Sequence, residues 1–318
     1  MTTDRLPIAA EAPRLPRDAR LGGEVLVAVP ARDRRRVLAD LVALTKPRVL
    51  VMVVVTTLVG YYVGLTATTD YLRLIHLLLG TLFAAGGTLA LNQYIERDVD
   101  ARMTRTRSRP LPDGRLEPLE ALLFASALTI VGVLYLAVAV NGPAAAVTAV
   151  IAVLYLFAYT PLKVRTPLAT LVGAVPGALP PVTGWAAARD DIGLGAWVLF
   201  AIMFLWQLPH TLAIARLYRD DYARAGVRVL PVVDVTGAST ERQILSGSCA
   251  LAVVSLLPTL IGLAGGVYFT GALVLGLGLV VLAIAQAHAP SSTSARRVMF
   301  ASLLYLPALF ALLAYDKL

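Results

Sequence analysis

Residues 74–115 read LIHLLLGTLFAAGGTLALNQYIERDVDARMTRTRSRPLPDGR, an apolar run that ends in acidic residues and then in an arginine-rich segment. Its apolar part, 74–95, has the ~20 residues that a helix needs to cross a bilayer. The whole chain of 318 residues is 58% hydrophobic and only 15% charged. Its mean hydropathy of +0.75 is too high for a soluble domain of this size. The sequence therefore predicts an all-α integral membrane protein.

Similar uncharged runs occur along most of the chain and predict nine membrane spans. We expect these spans at 49–68, 74–95, 118–140, 144–160, 168–188, 194–215, 244–264, 268–288 and 298–315. The predicted architecture is a nine-transmembrane-helix bundle. Its two longer connections, 96–117 and 216–243, lie on the same side of the membrane.

The distribution of Lys and Arg predicts the orientation of the bundle. With the N-terminus inside, the inside segments hold 25 of the 28 Lys and Arg residues, and the outside segments hold only Arg73, Arg189 and Lys317. This bias follows the positive-inside rule. We therefore expect a multi-pass protein of the cell (plasma) membrane whose N-terminus and two long connections are cytosolic. The net charge of +8 is mostly an orientation signal, and we expect no nucleic-acid partner.

The chain divides into a tail and a membrane domain. Residues 1–40 mix Arg, Pro, Asp and Glu without helical periodicity, which is typical of a flexible cytosolic tail. Residues 41–318 then form one polytopic domain whose surroundings are the lipid bilayer. The single cysteine, Cys249, lies in an apolar run, so we expect no internal disulfide and a buried, inert thiol.

A set of oxygen-bearing side chains follows the second predicted span. Asn92, Glu96 and Asp100 are spaced four residues apart, so on a helix they lie on one face. Such oxygens suit Mg²⁺, which usually binds a few carboxylates together with substrate phosphates. Ionisable groups at this depth are costly and are usually functional. Asp98 lies on the opposite face, and we expect it to pair with an arginine.

Basic residues and a second acidic motif complete the pattern. Arg105, Arg107 and Arg109 follow the first motif, and guanidinium groups match phosphate oxygens. In the second motif we assign Asp221 to the same metal, and we expect Asp220 either to support the metal ligands from behind or to face solvent. The other expected substrate-binding cations border the spans on the cytosolic side: Lys46, Arg48, Lys163 and Arg165. The pattern predicts a site for a prenyl diphosphate. As alternatives, each of the four bordering cations alone is equally compatible with interfacial snorkelling, and the arginine run could merely enforce the topology.

The sixth span contains the polar motif WQLPH. Asp221 follows His210 on nearly the same helical face, about 16 Å closer to the cytosol. We therefore expect Gln207, His210 and Asp221 to line one cavity wall and contact a bulky co-substrate. The alternative for His210 is a hydrogen bond between helices. His76 and His288 lie near span ends, and we expect both to be structural or solvated.

Five motifs together resemble one protein family. They are LTKPRV at 44–49, NQYIERDVDARMTRTRSRPLP at 92–112, YTPLKVRTP at 159–167, GALPPVTGW at 177–185 and WQLPHTLAIARLYRDDYARAGVRVLPVV at 206–233. Through them, residues 41–315 resemble the protohaem IX farnesyltransferases, or haem O synthases, a branch of the intramembrane UbiA prenyltransferase superfamily. The resemblance implies a UbiA-type nine-helix bundle, Mg²⁺ as cofactor, and farnesyl diphosphate and haem b as substrates. It also implies haem A synthase or terminal oxidase assembly as downstream partners.

The resemblance also assigns site residues. Matching by position gives Asn92, Glu96 and Asp100 in the first motif, Asp221 in the second, Lys163 and Arg165 in the basic connection, and His210 in the sixth-span motif of the haem branch. Glu96 departs from the Asp of many relatives, and Gln93 from an Asp of the wider superfamily. Two alternatives stay open. One is a related prenyltransferase with a benzoate, naphthoate or chlorin acceptor. The other is a transporter of an isoprenoid phosphate or haem, which would place charged groups nearer the midplane.

Overall fold

The computed structural model describes residues 34–66 and 68–318, which form helices joined by mostly short connections. The first half contains α1 (Arg34–Leu44), α2 (Pro47–Gly64), α3 (Tyr71–Asp100), α4 (Pro118–Ala139), α5 (Gly142–Val153), a π-helical segment (Leu154–Tyr159), α6 (Thr160–Leu162), α7 (Ala169–Ala178) and α8 (Pro180–Arg189). The second half contains α9 (Leu194–Leu217), α10 (Arg219–Arg224), α11 (Leu230–Val233), α12 (Ala238–Val254), α13 (Leu257–Leu260), α14 (Gly266–His288) and α15 (Ser292–Tyr315). Most of the predicted tail lies outside the described residues, and its last part, 34–40, is helical in α1.

Nine helical stretches of the described residues are long and apolar enough to cross a membrane. They are Pro47–Gly64, Tyr71–Asp100, Pro118–Ala139, Gly142–Leu162, Ala169–Arg189, Leu194–Leu217, Ala238–Leu260, Gly266–His288 and Ser292–Tyr315. The all-α bundle of nine spans is therefore confirmed. The seventh and ninth spans each begin earlier than predicted, because their helices start in polar sequence. The ninth begins with a capping box between Ser291 and Ser294.

Helix α3 is long enough to span the hydrocarbon core of a bilayer and still continue through the acidic motif. Its 30 residues measure about 45 Å, whereas the hydrocarbon core of a bilayer is only ~30 Å thick. The helix begins at Asp70, whose side chain accepts a hydrogen bond from the backbone N–H of Arg73 at 2.9 Å. The helix continues without a break to Asp100, so its last turns carry their polar side chains on a continuous helix.

The fifth span is broken into α7 and α8, and its second part packs tightly on α2. Pro180 begins α8, where its missing N–H costs no helical hydrogen bond. A Cβ atom on Gly184 would lie 1.9 Å from the backbone oxygen of Thr57, and one on Gly60 would lie 1.9 Å from the backbone oxygen of Pro181. Only glycine permits this close approach of α2 and α8.

The largest buried apolar cluster lies among α9, α12, α14 and α15, and it contains a few satisfied polar groups. The hydroxyl of Tyr268 donates to the backbone oxygen of Ser255, and the hydroxyl of Tyr305 donates to the Ser255 hydroxyl, both at 2.8 Å. Because these donors have acceptors, their hydrogen bonds offset the cost of removing them from water. Helix α9 is thus packed against a buried apolar cluster.

The structure also shows the surroundings of Cys249, His76 and His288, about which the sequence makes predictions. Cys249 is exposed on α12, so the prediction of a buried thiol is wrong. Apolar neighbours do not imply burial in a membrane span, because the outer face of such a helix is also apolar. His76 has a structural role, with its Nδ1 2.6 Å from the Tyr135 hydroxyl, and His288 is exposed. Both histidines agree with the prediction.

Candidate active site

The last turns of α3 carry a buried polar face. Asn92, Glu96 and Asp100 have exposed fractions of only 1%, 5% and 1%, as their common spacing on one face predicts. Asp98, on the other side of the helix, is exposed. Carboxylates buried to this extent require compensating partners.

Each of these three side chains has a basic partner from a different segment. The Lys46 ammonium donates to Asn92 Oδ1 at 2.7 Å. Lys163 Nζ lies 3.1 Å from both carboxylate oxygens of Glu96. Arg109 donates to Asp100 at 2.6 Å. The structure thus brings three of the expected cations together along the α3 face and leaves its carboxylates neutralised.

Lys46 and Lys163 lie just outside the spans, and their surroundings shift their pKa values in opposite directions. Burial, reinforced by the charge of Arg109, lowers the pKa of Lys46 to about 7. Burial also opposes the charge on Lys163, but Tyr159 and the Glu96 carboxylate outweigh it and raise the pKa of Lys163 above its ordinary value. The charged form of Lys163 is therefore favoured, and an anion placed near Lys46 would favour the protonated form of Lys46 as well.

Asp221 lies on α10 and is bound to the first long connection rather than to the α3 face. Its carboxylate accepts the backbone N–H of Thr104 at 2.9 Å and pairs with Arg224. Partial burial opposes the charge, but these hydrogen bonds outweigh it and lower the pKa of Asp221. The two acidic motifs therefore meet through the backbone that follows Asp100, and not through a shared cluster of carboxylates.

The four expected metal ligands do not all lie in one cluster. The part of the chain that the structure describes has no group of three or more His, Cys, Asp or Glu side chains placed to hold a metal ion. Because Asp221 is bonded elsewhere, the expected set of four ligands is not assembled. Asn92, Glu96 and Asp100 nevertheless fit Mg²⁺ chemically, since they place buried oxygen donors on one helix face. Each is held by a cation that a phosphate would also attract.

A cavity of about 420 Å³ extends from Lys163 into the bundle, within the ~300–1,000 Å³ typical of ligand pockets. Most of its lining is apolar, with Val49, Leu89 and Ile151 as examples, and Lys163 and Arg105 provide its basic end. An apolar cavity with one cationic end suits a molecule with an apolar chain and an anionic head.

The remaining predicted cations divide into those at the cavity and those away from it. The Arg105 guanidinium lies 5.0 Å above the Tyr218 ring and donates to the Tyr222 hydroxyl at 3.2 Å, so it is held over the mouth of the cavity. Arg48, Arg107 and Arg165 are exposed, and none of them lines the cavity. Their roles as substrate-binding residues stay predictions without support from this geometry.

The expected wall of Gln207, His210 and Asp221 needs correction, because only Gln207 lines the cavity. His210 turns toward α15, where its Nδ1 lies 2.9 Å from Ser302 Oγ. Its ring stacks on Trp206 with 4.8 Å between ring centroids. The cavity face of α9 instead continues from Gln207 through Thr211. The interhelical hydrogen bond that sequence left as the alternative for His210 is the one present.

Sequence reasoning missed two tyrosines at the site. Tyr155 and Tyr159 line the cavity with ring centroids 5.2 Å apart. Both belong to the π-helical segment, whose widened turn places this pair side by side, and such segments are frequent at functional sites. Thr160, just after it, accepts a hydrogen bond from Asn92 at 3.0 Å. Polar aromatic residues four apart in an apolar span were the available signal.

Sequence comparisons place the chain among known proteins. A model of the UbiA prenyltransferase family matches residues 53–304. The chain is 46% identical to the protoheme IX farnesyltransferase of Solibacter usitatus (strain Ellin6076), over 87% of this chain and 98% of that protein. It is 42% identical to the protoheme IX farnesyltransferase of Koribacter versatilis (strain Ellin345), over 92% of this chain and 97% of that protein.

Solved structures share the fold at low sequence identity. A digeranylgeranylglyceryl phosphate synthase superposes with a TM-score of 0.75 at 15% identity, covering 88% of this chain and 98% of that chain. A UbiA homolog from Archaeoglobus fulgidus bound to GPP and Mg²⁺ superposes with a TM-score of 0.61 at 15% identity, covering 86% of this chain and 99% of that chain.

Proposed function

The chain belongs to the UbiA prenyltransferase family, and we propose that it transfers a farnesyl group from farnesyl diphosphate to a vinyl group of haem b. The reaction gives haem O and releases diphosphate. Membership in this family identifies the chain as a multi-pass membrane prenyltransferase, so the transporter interpretation is wrong. The proposed substrates come from the names of relatives such as that of Solibacter usitatus. The observation that carries the proposal is an apolar cavity whose mouth holds Lys163 and Arg105.

The ion pairs on α3 suggest how the diphosphate is held. A diphosphate entering beside Lys163 and Arg109 would compete with Glu96 and Asp100 for these cations, and phosphate oxygens are strong acceptors of such charge-assisted hydrogen bonds. The α3 oxygens released in this way would hold Mg²⁺, which supplies positive charge to the leaving diphosphate. Asp221 as a further ligand stays a prediction, since it requires the bonds of Asp221 to Thr104 and Arg224 to open.

The cavity lining supports the proposed transfer of the farnesyl group. Breaking the bond between the prenyl carbon and the diphosphate oxygen leaves an allylic cation, which water would destroy in an open site. Apolar walls exclude bulk water, and the rings of Tyr155 and Tyr159 offer π faces near the basic mouth. A haem vinyl group then attacks the allylic cation. Water adds to the resulting cation and loses a proton to the released diphosphate, which completes the hydroxyethylfarnesyl side chain.

The setting of the reaction is part of the proposal. We propose that the chain lies in the plasma membrane, and the excess of Lys and Arg on the side of the acidic motifs supports a cytosolic active site. Delivery of the product to haem A synthase or to terminal oxidase assembly stays a prediction.

One assay tests the proposed function. Purified chain in lipid nanodiscs is incubated with Mg²⁺, farnesyl diphosphate and haem b, and pigments and diphosphate are both quantified. We expect equal amounts of haem O and diphosphate. A prenylated benzoate, naphthoate or chlorin in parallel reactions, with no haem O from haem b, would instead assign a different acceptor.

A further inference from the structure

A small chamber with a mostly apolar surface and five threonines in its walls continues the cavity at the end farthest from the acidic residues. Its volume is about 20 Å³, and it shares wall residues such as Val53, Ile151 and Pro180 with the main cavity. Thr81 in its wall precedes Glu96 on the same helix by about 22 Å of rise. The chamber therefore adjoins the inner part of the site described above.

Five threonines line this chamber, but their hydroxyls differ in hydrogen bonding. Thr57, Thr88 and Thr148 each donate to the carbonyl four residues earlier in their own helix, at 2.7–2.9 Å. Thr81 and Thr183 are 4% and 1% exposed, and their Oγ1 atoms have no hydrogen-bond partner among the described residues. They lie on α3 and α8, on different walls of the chamber.

Unpaired hydroxyls in the interior of a membrane protein are unfavourable, and the chamber has room for a partner. A cavity needs roughly 10–15 Å³ to hold one water molecule, and the chamber has about 20 Å³. We propose that Thr81 and Thr183 hold a buried water, and that this hydrated end stops the prenyl chain and limits the chain length that the enzyme accepts. The second part of this inference rests on the proposed function.

Selection by chain length follows from the cost of removing this water. The end of a longer apolar chain would displace the water without replacing its hydrogen bonds, which loses affinity. Both hydroxyls would then be buried without partners. A chain that stops short of Thr81 and Thr183 leaves the water in place and pays no such penalty.

The water site is tested by a double-mutant cycle on thermal melting in nanodiscs without substrate. Thr81→Val and Thr183→Val each remove one partner of the water and are expected to lower the melting temperature. The variant with both changes removes the whole polar site and should melt close to the wild type, because an apolar replacement of all partners is nearly neutral. We therefore expect the effects of the two substitutions on the melting temperature to be non-additive, although the two residues interact only through the water. Melting temperatures that rise additively would show a dry chamber and overturn the inference.

Chain-length selection is tested with the same variants. The ratio of kcat/KM for geranylgeranyl diphosphate to that for farnesyl diphosphate should rise about tenfold in the double variant. In that variant the longer chain no longer leaves one or two buried hydroxyls without a hydrogen bond. Thr148→Val is the matched control, since its hydroxyl lines the same chamber but is already satisfied within α5. It should leave the ratio unchanged.

The outcomes separate this inference from the proposed function. An active wild type whose ratio is the same in the double variant, or shifts equally in Thr148→Val, overturns chain-length selection by the water. A wild type that forms no prenylated product from any acceptor overturns the proposed function, while the melting cycle still decides the water site.

Discussion

Replacing Lys163 by Met should damage stability and activity for different reasons. The side chains of Lys163 and Glu96 are 15% and 6% exposed, with the ammonium 3.1 Å from the carboxylate. Removing the ammonium leaves a buried carboxylate without its partner, which costs about 3–5 kcal/mol of folding free energy. The variant also loses the fixed cation at the cavity mouth, so kcat should fall by about 10²–10³. Thermal melting and haem O formation in nanodiscs measure the two effects separately.

Two further variants control this prediction. The combination of Lys163→Met with Glu96→Gln removes the unpaired charge, so it should recover most of the stability and none of the activity. Lys163→Arg keeps the charge and should melt close to the wild type. A Lys163→Met protein that is as stable as the wild type, or a double variant that regains turnover, would refute this account of the ion pair.

Three other predictions follow from the same geometry. Arg105→Ala should raise the KM for farnesyl diphosphate about tenfold, the effect of one charge-assisted hydrogen bond, whereas the exposed Arg107→Ala should leave it within about twofold. An equal rise in both would contradict the assignment of Arg105. Chelation of divalent ions should abolish turnover, and added Mg²⁺ should restore it in the wild type but not in Asp100→Ala, which should still insert and melt cooperatively. Turnover by Asp100→Ala would contradict the metal role. Gly184→Ala places a Cβ 1.9 Å from a backbone oxygen of α2 and should lower stability by about 1–3 kcal/mol. Gly142→Ala, which meets no atom within 4 Å, serves as its control in the same denaturation experiment.

Periodicity along single helices made part of the site predictable. The common spacing of Asn92, Glu96 and Asp100 anticipates their shared buried face, because the geometry of one helix relates residues four apart. Long apolar runs likewise anticipate the nine spans, since the thickness of the bilayer sets their length. Both features depend only on local chain geometry.

Features that depend on packing between helices were not predictable in this way. The bonds of Asp221 to Thr104 and Arg224 depend on how two connections fold against each other. The side of α9 that faces the cavity depends on the packing of α15, and the difference between Gln207 and His210 follows from it. Burial of Cys249 failed as a prediction because apolar surface faces lipid as well as the core.

The most direct test of the central claim is a structure with Mg²⁺ and farnesyl thiodiphosphate, an analogue that reacts slowly. The account predicts phosphate oxygens within hydrogen-bond distance of Lys163 Nζ and the Arg105 guanidinium. The metal should lie against the carboxyl end of α3 and the chain inside the cavity. A structure in which Lys163 still pairs with Glu96 while the phosphates bind elsewhere would contradict it.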